Sequence, residues 1–303
     1  MLKSLQSTPD YPVILRRMKI LIVGGDGMLG HQLLRRWTPL YDVKATVRKD
    51  ASAYASVPIL KADRIFSNVD VRSTNSVAGC VTSFRPDVIV NAAGIVKQRA
   101  IAKESLPSLE VNAVFPHRLA LIASASGARV VHFSTDCVFS GRRGNYAEVD
   151  LPDAEDLYGR TKLLGELSYP HCITLRTSII GRELLHKEGL LEWFLAQRGT
   201  IRGFTRAIYT GFTTIEIARI VERLLIHHSD ENGVWHASSE AISKYDLLCL
   251  FRKHFATKTE IVPDETFVCD RSLDSRRFRS RVGYTPPTWE SMVEEIARDR
   301  SYA

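Results

Sequence analysis

Residues 19–25, Lys-Ile-Leu-Ile-Val-Gly-Gly, constrain the fold more than any other stretch. A short unbroken apolar run has no face to give to water, which is the signature of a strand covered on both sides in a parallel sheet. Glycines at 24, 27 and 30 then form a G-x-x-G-x-x-G. Glycine at such positions permits a tight turn, brings backbone close to a pyrophosphate and lets the next helix pack against the sheet. The helical stretch around Met28–Arg36 would aim free N–H groups and the positive end of its dipole at that anion. Gly24, Gly27 and Gly30, with Met28 and Leu29 at the helix start, are therefore candidate cofactor contacts. The alternative is an ordinary glycine-rich strand–helix turn.

The alternation continues along the chain. Asp42–Val47, Asp87–Asn91, Arg129–Ser134 and Ile173–Thr177 read as strands, with helices near residues 108–126 and over Asp156–Tyr169. This order predicts an α/β fold, a parallel sheet with helices on both faces. Right-handed crossovers put the C-terminal strand ends along one edge, where ligands of such sheets bind. After Thr177 the rhythm changes. Leu190–Gln197, Thr214–Ile226 and Lys244–Phe255 read as helices and Gly233–Ala237 as a strand; Ile217, Ile220, Val221 and Leu224 share one helix face. The expected organisation is a sheet domain over 18–178, to which 209–237 returns, and a smaller C-terminal lobe from 179–208 and 238–303. Residues 1–17, with Pro9, Pro12 and no clear period, read as a loose extension, and Met18 is a candidate start.

The chain has 303 residues, which suits about two domains or one large α/β unit. At 45% apolar and 25% charged it is not a disordered or fibrous chain. Forty-one Lys plus Arg against 34 Asp plus Glu give a net charge of +7, which suits an anionic partner or plain solubility. No block of like charge reads as a nucleic-acid tail. Cys80, Cys137, Cys172, Cys249 and Cys269 are odd in number and form no C-x-x-C, so a reducing, cytoplasmic compartment is expected rather than a disulfide scaffold. No apolar run is long enough for a membrane span, and the N-terminus lacks the apolar core of a signal peptide. The nine histidines form no metal pattern, and no protein-bound metal is expected. His132 lies mid-strand, the setting of a core histidine.

Four further strand ends supply candidate contacts. Arg48 closes the second strand, where an arginine suits a 2′-phosphate; Arg48 and Lys49 as solvated loop charges are the alternative. Asp70 and Val71 read as adenine contacts or as a strand end. Asn91, Ala92, Ala93 and Gly94 are small enough for a ligand to approach their backbone, or for a tight β–α turn. Ser134, Thr135 and Asp136 close the next strand, and Tyr158 and Lys162 follow on a helix, one turn apart on one face. A phenol of pKa about 10 is a poor proton donor at neutral pH, and a nearby ammonium is expected to lower that value. A Ser or Thr hydroxyl would hold a carbonyl oxygen while Tyr158 protonates it. Tyr158 as packing and Lys162 as a solvated charge is the alternative.

In this order the segments resemble the extended short-chain dehydrogenase/reductases, and within them the dTDP-4-dehydrorhamnose reductase family. The resemblance rests on Gly24-Gly25-Asp26-Gly27-Met28-Leu29-Gly30, Ser134-Thr135-Asp136-Cys137-Val138-Phe139 and Tyr158-Gly159-Arg160-Thr161-Lys162-Leu163-Leu164-Gly165-Glu166. It covers Met18 to Thr177 well and is looser beyond, mostly over Gly211–Arg219 and Arg271–Glu290. It implies a Rossmann-type sheet with a small substrate lobe, and NADPH-dependent reduction of a 4-keto group on a nucleotide-linked deoxysugar. Thr135, with Ser134, would bind the ketone oxygen, Tyr158 would be the acid, and Lys162 would hold the nicotinamide ribose. Asp136, Lys97, Trp193 and Arg271 are the substrate candidates; for Trp193 sugar stacking competes with core packing. Family members commonly carry Tyr and an acidic residue where this chain has Cys137 and Ser140, and differ from Gly94-Ile95-Val96-Lys97-Gln98-Arg99 after Asn91. The expected substrate is thus another dTDP- or UDP-linked 4-keto-6-deoxysugar, N-acetylated or not, rather than dTDP-4-dehydrorhamnose. A homodimer is admitted, with no nucleic-acid partner. An NAD-dependent epimerase or dehydratase and a cofactor-binding regulatory subunit, as in methionine adenosyltransferase, are the rival readings.

Overall fold

The computed structural model describes residues 18–185 and 187–299. The expected 1–17 extension lies outside the described residues. The chain begins β1 (Lys19–Val23), α1 (Met28–Trp37), β2 (Asp42–Thr46), β3 (Ile65–Phe66), α2 (Thr74–Phe84) and β4 (Val88–Asn91). Then come α3 (Ser105–Ser108), α4 (Phe115–Ser126), β5 (Arg129–Ser134), α5 (Leu157–Leu164) and β6 (Cys172–Arg176). After these lie β7 (Ile179–Ile180), α6 (Leu190–Ala196), β8 (Thr200–Phe204), β9 (Ala207–Tyr209), β10 (Phe212–Thr213) and α7 (Thr214–His227). The last elements are β11 (Gly233–His236), β12 (Ile242–Ser243), α8 (Lys244–His254), β13 (Glu260–Asp264), β14 (Cys269–Asp270), α9 (Arg276–Val282) and α10 (Trp289–Arg298).

Seven strands form one sheet in the order β11-β6-β5-β4-β1-β2-β3, and every pairing in it is parallel. Ile20 to Val23 of β1 are fully buried at its centre. One face packs α2 and α4 through Val77, Val81, Phe115 and Leu119. The other packs α1 and α7 through Leu33, Trp37, Ile217 and Val221. This is a Rossmann-type fold. The same apolar cluster runs on without a break into Phe194, Leu247, Phe251 and Ile261 of α6, α8 and β13, so the C-terminal elements share the core of the sheet. Three small sheets pair β7 with β10, β8 with β13, and β9 with β12 and β14.

Two expected helices are altered. The stretch expected as one helix over 108–126 is α3, a π-helical segment Leu109–Val114, and α4. Pro116 has no N–H to return to the Asn112 carbonyl, and that carbonyl packs so tightly on Gly165 that a Cβ there would lie 2.0 Å away. The helix expected over Asp156–Tyr169 stops at Leu164, capped by Gly165. At its start the Asp156 carboxylate accepts from the Gly159 N–H at 2.8 Å.

Candidate functional site

The turn after β1 is built from main chain. The Gly24 N–H donates to Thr46 Oγ1 at 3.2 Å and the Gly25 N–H to the Thr46 carbonyl at 2.8 Å. Gly24 has φ +89°, and a Cβ there would come within 3.0 Å of Ala93 Cα and N. A Cβ on Gly30 would lie 2.0 Å from the Gly24 carbonyl oxygen, so α1 could not pack against the turn. Gly27 is the N-cap of α1, whose first turn, from Met28 and Leu29, has no side-chain cap and no acidic residue. The result is a glycine cradle facing a bare helix N-terminus, a shape that suits a diphosphate.

At the end of β2, Arg48 is exposed and lies near Tyr54 and Asp70. Asp70 is engaged by Arg72, whose Nε and Nη2 reach its carboxylate at 3.0 and 2.6 Å; this holds the carboxyl below the usual range. Val71 is half-buried beside it. Inside the glycine turn, Asp26 accepts a hydrogen bond from the buried Tyr54 hydroxyl at 2.7 Å. The sequence reading missed this pair, whose one visible signal is an acid within the turn. Asn91 pins the next loop: Oδ1 accepts from the Ala93 N–H at 3.2 Å, and Nδ2 donates to His132 Nδ1 at 3.1 Å. Ala92 and Ala93 are half-buried in this loop, and Gly94 after them is exposed. His132 is held neutral by burial and by Lys162, and its Nε2 is buried with no partner among the described residues.

The second half of the site is made of side chains. The hydroxyls of Thr135 and Tyr158 are hydrogen-bonded to each other. Thr135 Oγ1 also donates to Asp136 at 3.1 Å and accepts from the Cys137 N–H at 3.1 Å. Lys162 donates to the Phe133 carbonyl at 2.6 Å from a buried position. Burial pulls its pKa down to about 8, with Glu166 opposing. The expectation that an ammonium lowers the Tyr158 pKa is corrected: burial first, then Cys137, Asp136 and Asp156, push the phenol above its ordinary value. Tyr158 accordingly holds its proton at neutral pH. Ser134 also departs from expectation, because its hydroxyl points to Glu166 at 2.6 Å and leaves Thr135 as the hydroxyl beside Tyr158.

Charged groups ring this pair. Lys97 bonds Asp156 at 2.6 Å, just before Tyr158. Arg271 donates from Nε to the Phe139 carbonyl at 2.7 Å and lies within electrostatic reach of Asp136 and Asp156. Asp136 is buried. Trp193 is not in the group; it stands 40% exposed on α6, which removes the core-packing alternative. Burial pushes the Cys137 thiol up to about 12, so it is inert packing beside Tyr158. Ser140 donates through both N–H and Oγ to Asp153, at 2.7 and 2.6 Å. Tyr209, half-buried beside Asp136 and Tyr158 and bonded to Ser178, went unnoticed in the sequence because nothing local marks it.

Residues 18–301 match the family model of the RmlD substrate binding domain. The chain belongs to this family. A dTDP-4-dehydrorhamnose reductase of Aggregatibacter actinomycetemcomitans is 28% identical, covering 94% of this chain and 99% of its own. Methionine adenosyltransferase 2 subunit beta of Danio rerio is 26% identical over 78% of this chain and 74% of its own. The crystal structure of a dTDP-4-dehydrorhamnose reductase from Bacillus anthracis, in complex with NADP, superposes with a TM-score of 0.76 at 21% identity, covering 92% of this chain and 98% of that one. Its relatives over this length thus include both a reductase and a subunit of methionine adenosyltransferase. Among the described residues of this RmlD-family chain, no helix is long and apolar enough to cross a membrane, and no group of three or more His, Cys, Asp and Glu could hold a metal.

Proposed function

We propose that this RmlD-family chain reduces the 4-keto group of a dTDP- or UDP-linked 6-deoxysugar with NADPH, in the making of deoxysugars for polysaccharide. The observation that carries the reading is the hydrogen-bonded Thr135–Tyr158 pair with Lys162 one turn on, at the same sheet edge as the glycine cradle. The cradle fits the dinucleotide: a Cβ on Gly24 or Gly30 would fill it, and the α1 N-terminus carries no acid. Gly24, Gly27, Met28, Leu29, Gly30, Ala92 and Ala93 would hold the cofactor through backbone, Arg48 its 2′-phosphate, and Asp70 and Val71 the adenine side. When bound, NADPH supplies the hydride.

The chain's own residues supply the rest. Thr135 orients the ketone oxygen against Tyr158, and Tyr158 passes its proton to that oxygen as charge develops there. Lys162, anchored on the Phe133 carbonyl, holds the ribose side. Lys97 and Arg271, each fixed by a partner, bring positive charge toward a nucleoside diphosphate. The elements from 179–208 and 238–303 form the substrate side in this reading, and the working protein is a cytoplasmic homodimer. The small Cys137, and Ser140 turned to Asp153, favour a sugar other than dTDP-4-dehydrorhamnose.

A second reading, a non-catalytic NADP-binding subunit, draws on the likeness to the methionine adenosyltransferase subunit. Titration with NADPH and NADH by nicotinamide fluorescence, then a panel of dTDP-, UDP- and GDP-linked 4-keto-6-deoxysugars, separates the two. Tight NADPH binding with oxidation by one ketosugar is expected. Faster turnover of dTDP-4-dehydrorhamnose than of UDP-linked sugars would overturn the substrate assignment. Binding without turnover would favour the subunit, and no binding of either nucleotide would end both readings.

A further inference from the structure

Below Tyr158 lies a charged pair that the reduction described above does not use. Glu166, just beyond α5, and Arg176, the last residue of β6, are 8% and 6% exposed. The contact is bidentate: Arg176 Nε donates to Glu166 Oε1 at 2.7 Å and Nη2 to Oε2 at 2.8 Å. Ser134 adds a third donor to the carboxylate at 2.6 Å. Ser134, Arg176 and His236 stand in register across the ends of β5, β6 and β11. The remaining guanidinium edge, Nη1, faces His236 Nε2 at 3.2 Å, and His236 Nδ1 donates to the Tyr146 carbonyl at 2.9 Å. Phe139, whose carbonyl holds Arg271, lies against the guanidinium with its ring centroid 5.3 Å away.

A buried pair of this kind is weak support for stability, because desolvation offsets most of its attraction. Its position suggests another use. Glu166 is four residues after Lys162, just past the end of α5, and Ser134 precedes Thr135. The groups facing Lys162 are few. On α5 and just past its end they are Tyr158, a neutral phenol, and Glu166. On β5 they are the Phe133 carbonyl and the neutral His132; on β6 Arg176 lies behind Glu166; on α4 the charge of His117 is felt at His132. Among the described residues, Glu166 is the anion that acts on this lysine.

We propose that Glu166 is a positioning residue for the reduction: clamped by Arg176, it fixes the strand end that carries Thr135 and keeps the Lys162 ammonium charged. The inference rests on the reductase reading for its catalytic consequence, but its electrostatic part can be read in the free protein. Burial already pulls the Lys162 pKa down to about 8 against the opposing carboxylate, so loss of that carboxylate should carry it further toward neutral pH.

The test uses the full-length protein with lysine labelled with carbon-13 at Cε, and Lys162→Met to assign the resonance. Wild type, E166Q and E166D are titrated by NMR, and the pH dependence of NADPH affinity and of kcat/KM is measured in parallel. E166Q should lower the Lys162 titration by about one pH unit. The alkaline limb of kcat/KM should move down by the same amount, and E166D should restore both. S134A, which keeps the charge, should lower kcat while leaving the limb in place. Should E166Q not fold, E166Q/R176Q removes both buried charges and carries the same comparison. An unchanged Lys162 titration in either variant, or a loss of activity that follows thermal stability with no shift of the limb, would overturn the proposal. If the titration moves but no ketosugar is turned over, the reductase reading fails and the electrostatic role of Glu166 stands.

Discussion

At the Gly24–Gly30 turn the surface offered to a ligand is main chain, held open by positions that have no room for a Cβ. At the Thr135–Tyr158–Lys162 end it is side chain, with each polar group tied to another residue. The first region depends on what is missing from three residues, and the second on what surrounds them. The turn should therefore be sensitive to any added atom but indifferent to its neighbours' chemistry. The Tyr158 end should tolerate changes of shape better than a change of charge.

Replacement of Tyr158 by Phe gives the largest effect. It removes the transferable proton and leaves the cradle untouched, so turnover should fall by about 10²–10⁴-fold while NADPH affinity holds in a fluorescence titration. A parallel loss of affinity would mean that the two regions are not separable. Gly30→Ala comes next. Its Cβ would collide with the Gly24 carbonyl, and overpacking of this kind costs about 1–3 kcal/mol, read as a lower Tm together with weaker NADPH binding. A variant with unchanged affinity would show that α1 need not sit so close to the turn. Arg48→Ala gives the smallest effect, since the side chain is exposed and screened: roughly tenfold weaker NADPH with NADH little changed. Equal loss for both nucleotides would detach Arg48 from the 2′-phosphate.

The same contrast explains what could be read in the sequence. The glycine spacing, the buried run of β1 and the four-residue step from Tyr158 to Lys162 are local patterns, and a local pattern is visible in a string of letters. Glu166 is local too, but its role is not, because Arg176 and His236 reach it only once β5, β6 and β11 lie side by side. The phenol's raised pKa was likewise hidden. The i to i+4 step promised an ammonium next to Tyr158, whereas the fold turns that ammonium to the Phe133 carbonyl and buries the phenol. Strands of two residues such as β3, β7, β10, β12 and β14 carry no period that could reveal them. The break within 109–114 follows from one missing N–H at Pro116 and one close contact at Gly165, and only the first of these is written in the sequence.

The strand order also bears on how the protein is made. β6 is complete well before its outer neighbour β11 is synthesised, with α6, the small strands and α7 in between. A nascent chain therefore carries an open row of N–H and C=O groups along β6, beside the apolar side chains of Ile173 and Leu175. Until Gly233–His236 emerges from the ribosome, that edge can be matched by any passing strand. Interruption of translation within 177–232 would release a sheet already shaped for association, and the late arrival of one four-residue strand closes that window.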